Sequence, residues 1–180
     1  MSLRSPIALV LAVALPALSG CEANVFSMEV KGDTTVEGSS LPNLPTVIPA
    51  VGSFSNIDFN QSQEFQNQGI TKDQVKSVRT EYVRLRILSP DTQDFSFLES
   101  IQFFAKAGDA EVLVAEKHNI DALDLRAPHP VLSLDVTGVE LQPFVTAPSM
   151  TIVVRGNGRQ PSETTKIQAE VGLKVEIRLF

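Results

Sequence analysis

From residue 54 to the C-terminus the apolar positions recur mainly with a period of two, the repeat of a strand that lies on a core with its other face in water. The last segment shows this most fully. Ile167, Ala169, Val171, Leu173, Val175, Ile177 and Leu179 fall on one face, and Gln168, Glu170, Gly172, Lys174, Glu176 and Arg178 on the other. At ~3.3 Å per residue such a strand runs about 43 Å, long for a small sandwich, so a bend or bulge is expected near Gly172. Upstream, Val83, Leu85 and Ile87 oppose Tyr82, Arg84 and Arg86, while Ile101, Phe103, Ala105 and Ala107 oppose Gln102, Phe104 and Lys106. Gly108-Asp109 then predicts a hairpin turn into Val112-Leu113-Val114-Ala115. Two more strands are expected at residues 131–136 and 150–155, the latter closed by Gly156-Asn157-Gly158. One short helix is expected over residues 71–78, with Thr71 as its cap and Asp73 at its positive end.

Seven or eight short strands, separated by Ser-Pro, Gly-Asp, Pro-His-Pro and Gly-Asn-Gly punctuation, predict an all-β fold. The expected architecture is an antiparallel β-sandwich, immunoglobulin/fibronectin-like, with a small β-barrel as the alternative. Residues 54–180 are assigned to this domain. A domain of that size buries about two-thirds of its unfolded-chain surface and needs no covalent staples. Residues 21–53 contain Pro42, Pro45 and Pro49, which disfavour helix and remove sheet donors, so they are read as an extended tether. Within it, Val25, Phe26, Met28 and Val30 leave open a first strand over residues 25–31.

The start of the chain has a different pattern. Met1 to Arg4 is short and basic, and no charged residue follows until Glu22; the apolar run 7–15 at its centre is interrupted by Pro16. That run falls short of the ~20 residues that cross a bilayer as a helix. It predicts an export signal over residues 1–20.

The run ends in Leu18-Ser19-Gly20-Cys21, which resembles the lipobox of bacterial lipoproteins. The resemblance implies that the Cys21 thiol is joined to diacylglycerol, that the leader is cut off before Cys21, and that the new amino group is often acylated too. One acyl chain binds a bilayer marginally, while two or more hold stably. Glu22 stands where the enterobacterial retention signal would have Asp, which favours the outer membrane. The expected location is therefore the cell envelope, with the bilayer as one partner through acylated Cys21 and an envelope protein or polymer as the other. A second resemblance covers about 35 residues. Residues 83–90, 97–103 and 112–115 are similar to the late-embryogenesis-abundant water-stress sandwich domains, with Ser89-Pro90-Asp91 where that family usually has Asn-Pro-Asn. It implies a sandwich and carries over no functional residue.

Composition narrows the chemistry. The formal net charge is −6 and the pI about 4.9. Removal of residues 1–20 takes away Arg4 and no acid, leaving 14 basic against 21 acidic residues and a charge of −7. An acidic chain is a poor nucleic-acid binder, because affinity for phosphate depends on clustered Lys and Arg. The sole cysteine allows no internal disulfide and no Cys-rich zinc site. His118-x2-Asp121-x2-Asp124-x4-His129 matches no tight metal motif. Asp91, Asp94, Glu99 and Asp109 lack the dense oxygen spacing of a calcium loop. Gly156-Asn157-Gly158 lacks the Lys-Ser/Thr of a phosphate loop. No catalytic residue, metal or cofactor is assigned. The chain ends in Phe180, as outer-membrane barrels often do, but Arg178, Glu176 and Lys174 stand where such a strand would face lipid.

One surface stands out. Arg79, Arg84 and Arg86 with Tyr82 form a basic and aromatic cluster, a candidate surface for glycan or anionic polymer, in which alternation puts Tyr82, Arg84 and Arg86 on one solvent face. The expected function is a lipid-anchored, non-catalytic envelope module. A carbohydrate-binding lipoprotein and a hydrolase or metal-dependent enzyme with a site assembled from scattered residues are the alternatives.

Overall fold

The computed structural model describes residues 24–40, 45–47 and 57–178, with the backbone alone for 45–47. The expected export signal, Cys21, and the tether residues 41–44 and 48–53 lie outside the described residues. The strands are β1 (Val25–Val36), β2 (Pro45–Val47), β3 (Val75–Ser89), β4 (Leu98–Ala107), β5 (Ala110–His118), β6 (Val131–Ser133), β7 (Asp135–Val136), β8 (Thr151–Arg159) and β9 (Thr165–Ile177). Two short helices are α1 (Gln63–Gln68) and α2 (Gln142–Val145).

All strand pairs are antiparallel, and they form two sheets, ordered β1-β9-β3-β6 and β2-β8-β4-β5-β7. The chain therefore is the antiparallel β-sandwich that the alternation predicts, not a barrel. At the level of two face-packed antiparallel sheets the immunoglobulin/fibronectin comparison holds. The strand order is more specific. β1 pairs with β9, β2 with β8, β3 with β6 and β4 with β5, so the pairs nest like one long hairpin wrapped over itself. That is a jelly roll, with β7 added beside β5.

β9 lies between β1 and β3, and its apolar face supplies Ile167, Ala169, Val171, Leu173 and Val175, each at most 2% exposed. Val78, Val83, Leu85 and Ile87 of β3 and Ile101, Phe103 and Ala105 of β4 meet them in the core. The irregularity expected near Gly172 is present, but on the partner strand. β9 pairs with β1 in unbroken register, while β3 shifts between Thr80, opposite Leu173, and Tyr82, opposite Gly172. Glu81 is thus the extra residue of a bulge, which returns Val83, Leu85 and Ile87 to the core side.

Three sequence-based boundaries move. β1 pairs with β9 over its full length, so the first strand left open over residues 25–31 does form, and it runs on to Val36 as a member of the sheet. The expected helix over 71–78 is a single 3-10 turn, Lys72–Gln74, and the β-branched residues Val75 and Val78 enter β3 instead. Gly156-Asn157-Gly158 does not close a strand but lies inside β8. Gly158 is opposite Leu98, and a Cβ there would meet the Phe97 carbonyl oxygen and the Leu98 Cα at 2.9 Å. The glycine is required by close backbone approach, not by a turn. The Gly108-Asp109 hairpin forms as expected, with Gly108 at φ +58° between Ala107 and Ala110.

Glycine at position 158 should be needed for stability. Gly158→Ala is expected to lower unfolding free energy by about 1–3 kcal/mol, as overpacking against immovable backbone does, measured by urea unfolding of the two chains.

Candidate functional site

The outward face of the β1-β9-β3 sheet is built in cross-strand rows fixed by the register. Ser27, Lys174 and Arg79 form one row; Glu29, Gly172 and Tyr82 the next; then Lys31, Glu170 and Arg84; then Asp33, Gln168 and Arg86. The central rows hold a connected cluster. Because position 172 has no side chain, the Tyr82 ring lies over it, where a Cβ would collide with ring atoms. The ring thereby reaches across β9, and the Tyr82 hydroxyl donates to Glu29 Oε2 on β1 at 2.6 Å. Lys31 Nζ lies 2.7 Å from Glu29 and 3.5 Å from Glu170, and the Arg84 guanidinium stacks 4.2 Å above the Tyr82 ring. Glu170, on the polar face, is only 8% exposed beneath these groups.

The electrostatics follow from these contacts. The Lys31 ammonium and then the Tyr82 hydroxyl hold the Glu29 carboxyl below the usual carboxylate range. Glu29 and then burial push the Tyr82 phenol above its ordinary value.

The candidate cluster is thus divided by the fold. Tyr82 and Arg84 are brought together, but they serve each other and Glu29: the Tyr82 ring covers Gly172 and carries the Arg84 guanidinium. Arg79 stands two residues beyond the bulge, 3.8 Å from Glu140. Arg86, between Gln168 and Val131, is exposed, and among the described residues it has no ion-pair partner. The pairs Lys31–Glu29 and Lys166–Asp33 neutralise much of the rest of this face.

Glu140, unremarked in the sequence, has a structural task. Burial alone would raise its carboxyl, but the Ser77 hydroxyl and the backbone N–H groups of Val78 and Gln142 donate to it and hold it below the usual range. A polar residue between Val139 and Leu141 gave no sign of this, because two of its three donors come from a strand 62 and 63 residues away.

The histidine and carboxylate positions are dispersed. His118 pairs with Glu116 at 3.1 Å, His129 lies 3.6 Å from Asp91, and Asp124 pairs with Arg126. Asp94 caps a 3-10 turn through the Ser96 N–H. Among the described residues no group of three or more His, Cys, Asp or Glu is placed to hold a metal ion, and no helix is long and apolar enough to cross a membrane.

The two ends of the sandwich differ. At the entry end, where β1 begins and β9 finishes, an open groove of about 360 Å³ lies between the β4–β5 hairpin and α2. At the far end, Gln93, Ser96, Arg159, Gln160 and Ser162 line a polar cleft of about 270 Å³ between the loops.

Face, clefts and strand order together define a two-sheet jelly-roll domain with a charged outer sheet face. No family model matches the chain, and no curated protein does. Among solved structures it is similar to Cocksfoot mottle virus at 8% identity, covering all of this chain and 97% of that one, with a TM-score of 0.33. It is also similar to the decameric BFDV capsid protein at 10% identity, covering 86% and 99%, with a TM-score of 0.34, and to turnip yellow mosaic virus at 11%, 97% and 92%, and 0.31. Likenesses of this size carry no argument about assembly or function.

Tyr82 is the only tyrosine, so its titration can be read directly from phenolate absorbance. The midpoint is expected above the ordinary value of about 10, and Glu29→Gln should bring it down. Linkage gives the sign for stability. The Tyr82 contribution is present below the ordinary phenol pKa and lost as pH rises through the raised one. The Glu29 contribution is present above the ordinary carboxylate pKa and lost as pH falls through the lowered one.

Proposed function

We propose that this chain is an exported bacterial lipoprotein whose acylated Cys21 holds a non-catalytic jelly-roll sandwich at the surface of an envelope membrane. In this reading the domain binds a protein or polymer of the envelope. The observation that carries it is the Leu18-Ser19-Gly20-Cys21 segment after an uncharged apolar run, only four positions before the first residue of β1.

The link from Cys21 to Val25 spans at most about 14 Å even when fully extended. The entry end therefore faces the bilayer, and the far-end loops and the outer sheet faces point into the surrounding space. On the β1-β9-β3-β6 face, exposed Arg86 and its neighbour Val131, 37% exposed, form the part of the candidate surface left open for an acidic partner. Arg79, Tyr82 and Arg84 support it: Tyr82 and Arg84 fix the sheet face beside it, and Arg79 marks the same face nearer the membrane.

Cys21→Ala is expected to move the protein from the membrane fraction to the soluble fraction and to remove the acyl mass from its N-terminal peptide. A variant that still sediments with membranes overturns the reading. Crosslinking in the native cell should also recover several-fold less of its partner with Arg86→Glu than with the original chain. Equal recovery would remove Arg86 from the surface.

A further inference from the structure

The groove at the entry end has no charged residue in its lining. Ala107, Gly108 and Ala110 of the β4–β5 hairpin form one wall, and Pro143, Phe144, Ala147 and Pro148 in and after α2 form the other. Lys106 and Asp109, both exposed, stand at the hairpin rim. Beside this groove the entry end is charged, with Asp58, Lys72 and Asp73 lining one open cleft and Arg79, Lys174 and Glu176 another; the far end is charged and polar. Its loops carry Asp91, Asp94, Asp121, Asp124, Arg126 and Glu163, and its cleft is lined mainly by polar side chains.

Backbone contacts fix the groove's position relative to the start of the chain. The Lys72 ammonium, three residues before β3, donates to Asp58 Oδ1 at 2.6 Å and to the carbonyls of Ala147 at 2.7 Å and Pro148 at 3.2 Å. The Leu141 N–H donates to the Val78 carbonyl, which ties the base of α2 to the same strand. The start of β3 pairs with the end of β9, and the Ile177 N–H donates to the Asn24 carbonyl. The groove is thus held rigidly at the end of the sandwich where the chain enters. Val25, 41% exposed and the most exposed large apolar side chain described, is at that end too.

We infer that the groove at the entry end is a membrane-docking surface, whose occupant is the bilayer interface; Phe144, half-buried against the core, offers its open part to the lipid. This rests on the proposed lipidation of Cys21, because the three residues from Glu22 to Asn24 give β1 too short a leash to stand clear of the headgroups. An apolar groove lining at that distance loses water by entering the headgroup region, and each apolar square ångström removed from water adds to the acyl anchor. Lys106 and Asp109 stay at headgroup level, where water and phosphate solvate them. Docking fixes the tilt of the sandwich, so the far-end loops are presented at constant height. An acyl chain alone leaves the domain free to tumble.

The chain contains no tryptophan, so a single introduced one reports only its own surroundings. The full chain carrying Phe144→Trp is expressed in a bacterium, purified from membranes and reconstituted into vesicles of phosphatidylethanolamine and phosphatidylglycerol. The control is Leu123→Trp, a 39% exposed position at the far end. Circular dichroism checks that both variants fold. The expected result is blue-shifted emission for Trp at 144, quenched several-fold more by acyl-brominated lipids than emission from 123. Acylated protein in which both positions emit and quench alike overturns the docking alone. Protein with no acyl mass on Cys21 overturns the anchoring and the docking with it. Pro148→Asp, an exposed position, is the second variant and should reduce the quenching at 144; unchanged quenching would also count against docking.

Discussion

The fold depends on β9 keeping one apolar face unbroken through all of its length. Its inward side chains from Ile167 to Val175 sit at the centre of a four-stranded sheet, with β1 on one side and β3 on the other. Each fully buried aliphatic side chain of this size is worth roughly 1.5–3 kcal/mol, so the strand contributes a large part of the core's hydrophobic stabilisation. A one-residue slip against either neighbour would put Lys174, Glu176 and Lys166 into that core. The register is therefore held from both sides, and the adjustment that a long twisted sheet needs is moved to β3, where Glu81 bulges out. Gly172 takes part in this adjustment, since the absence of a side chain there lets Tyr82 cross the strand.

That crossing links core and surface. On the outer face, Tyr82, Glu29, Lys31, Arg84 and Glu170 join three strands through a ring contact, a hydrogen bond and ion pairs. Exposed ion pairs contribute little one by one, but this group is built round a partly buried phenol and a carboxylate that is 8% exposed. It ties the three strands of this sheet face together and leaves Arg86 exposed beside it. Cationic and aromatic residues on a strand thus divide into those the sheet consumes and those it offers.

The nested strand order also separates the two ends of the domain. Chain entry, the β4–β5 hairpin and α2 gather at one end, and the 90–97, 119–130 and 160–164 loops at the other. Under the proposed anchoring at Cys21 this separation would bring one end to the lipid and leave the other displayed. Lys72 is the small device that keeps the first end in one piece: its buried ammonium joins Asp58 to the carbonyls after α2.

Alternation of apolar and polar residues determined the strand class, the faces of β3, β4 and β9, and the Gly108-Asp109 hairpin, because side chains on a strand alternate between core and water whatever the strand's neighbours are. The lipobox resemblance needed no fold at all, since four consecutive residues carry it. Local pattern could not decide which strands pair. The nesting of β1 with β9 joins residues about 140 positions apart, and it decided that Val25–Val36 is a sheet member. It also turned Gly158 from a turn signal into a point of backbone contact and Thr71–Val78 from a helix into a strand entry. Residue types placed Tyr82, Arg84 and Arg86 on one outward face. Only the register across β9 decided that Tyr82 binds Glu29 while Arg86 stays open, because cross-strand neighbours are set by hydrogen-bond pairing between segments far apart in the chain.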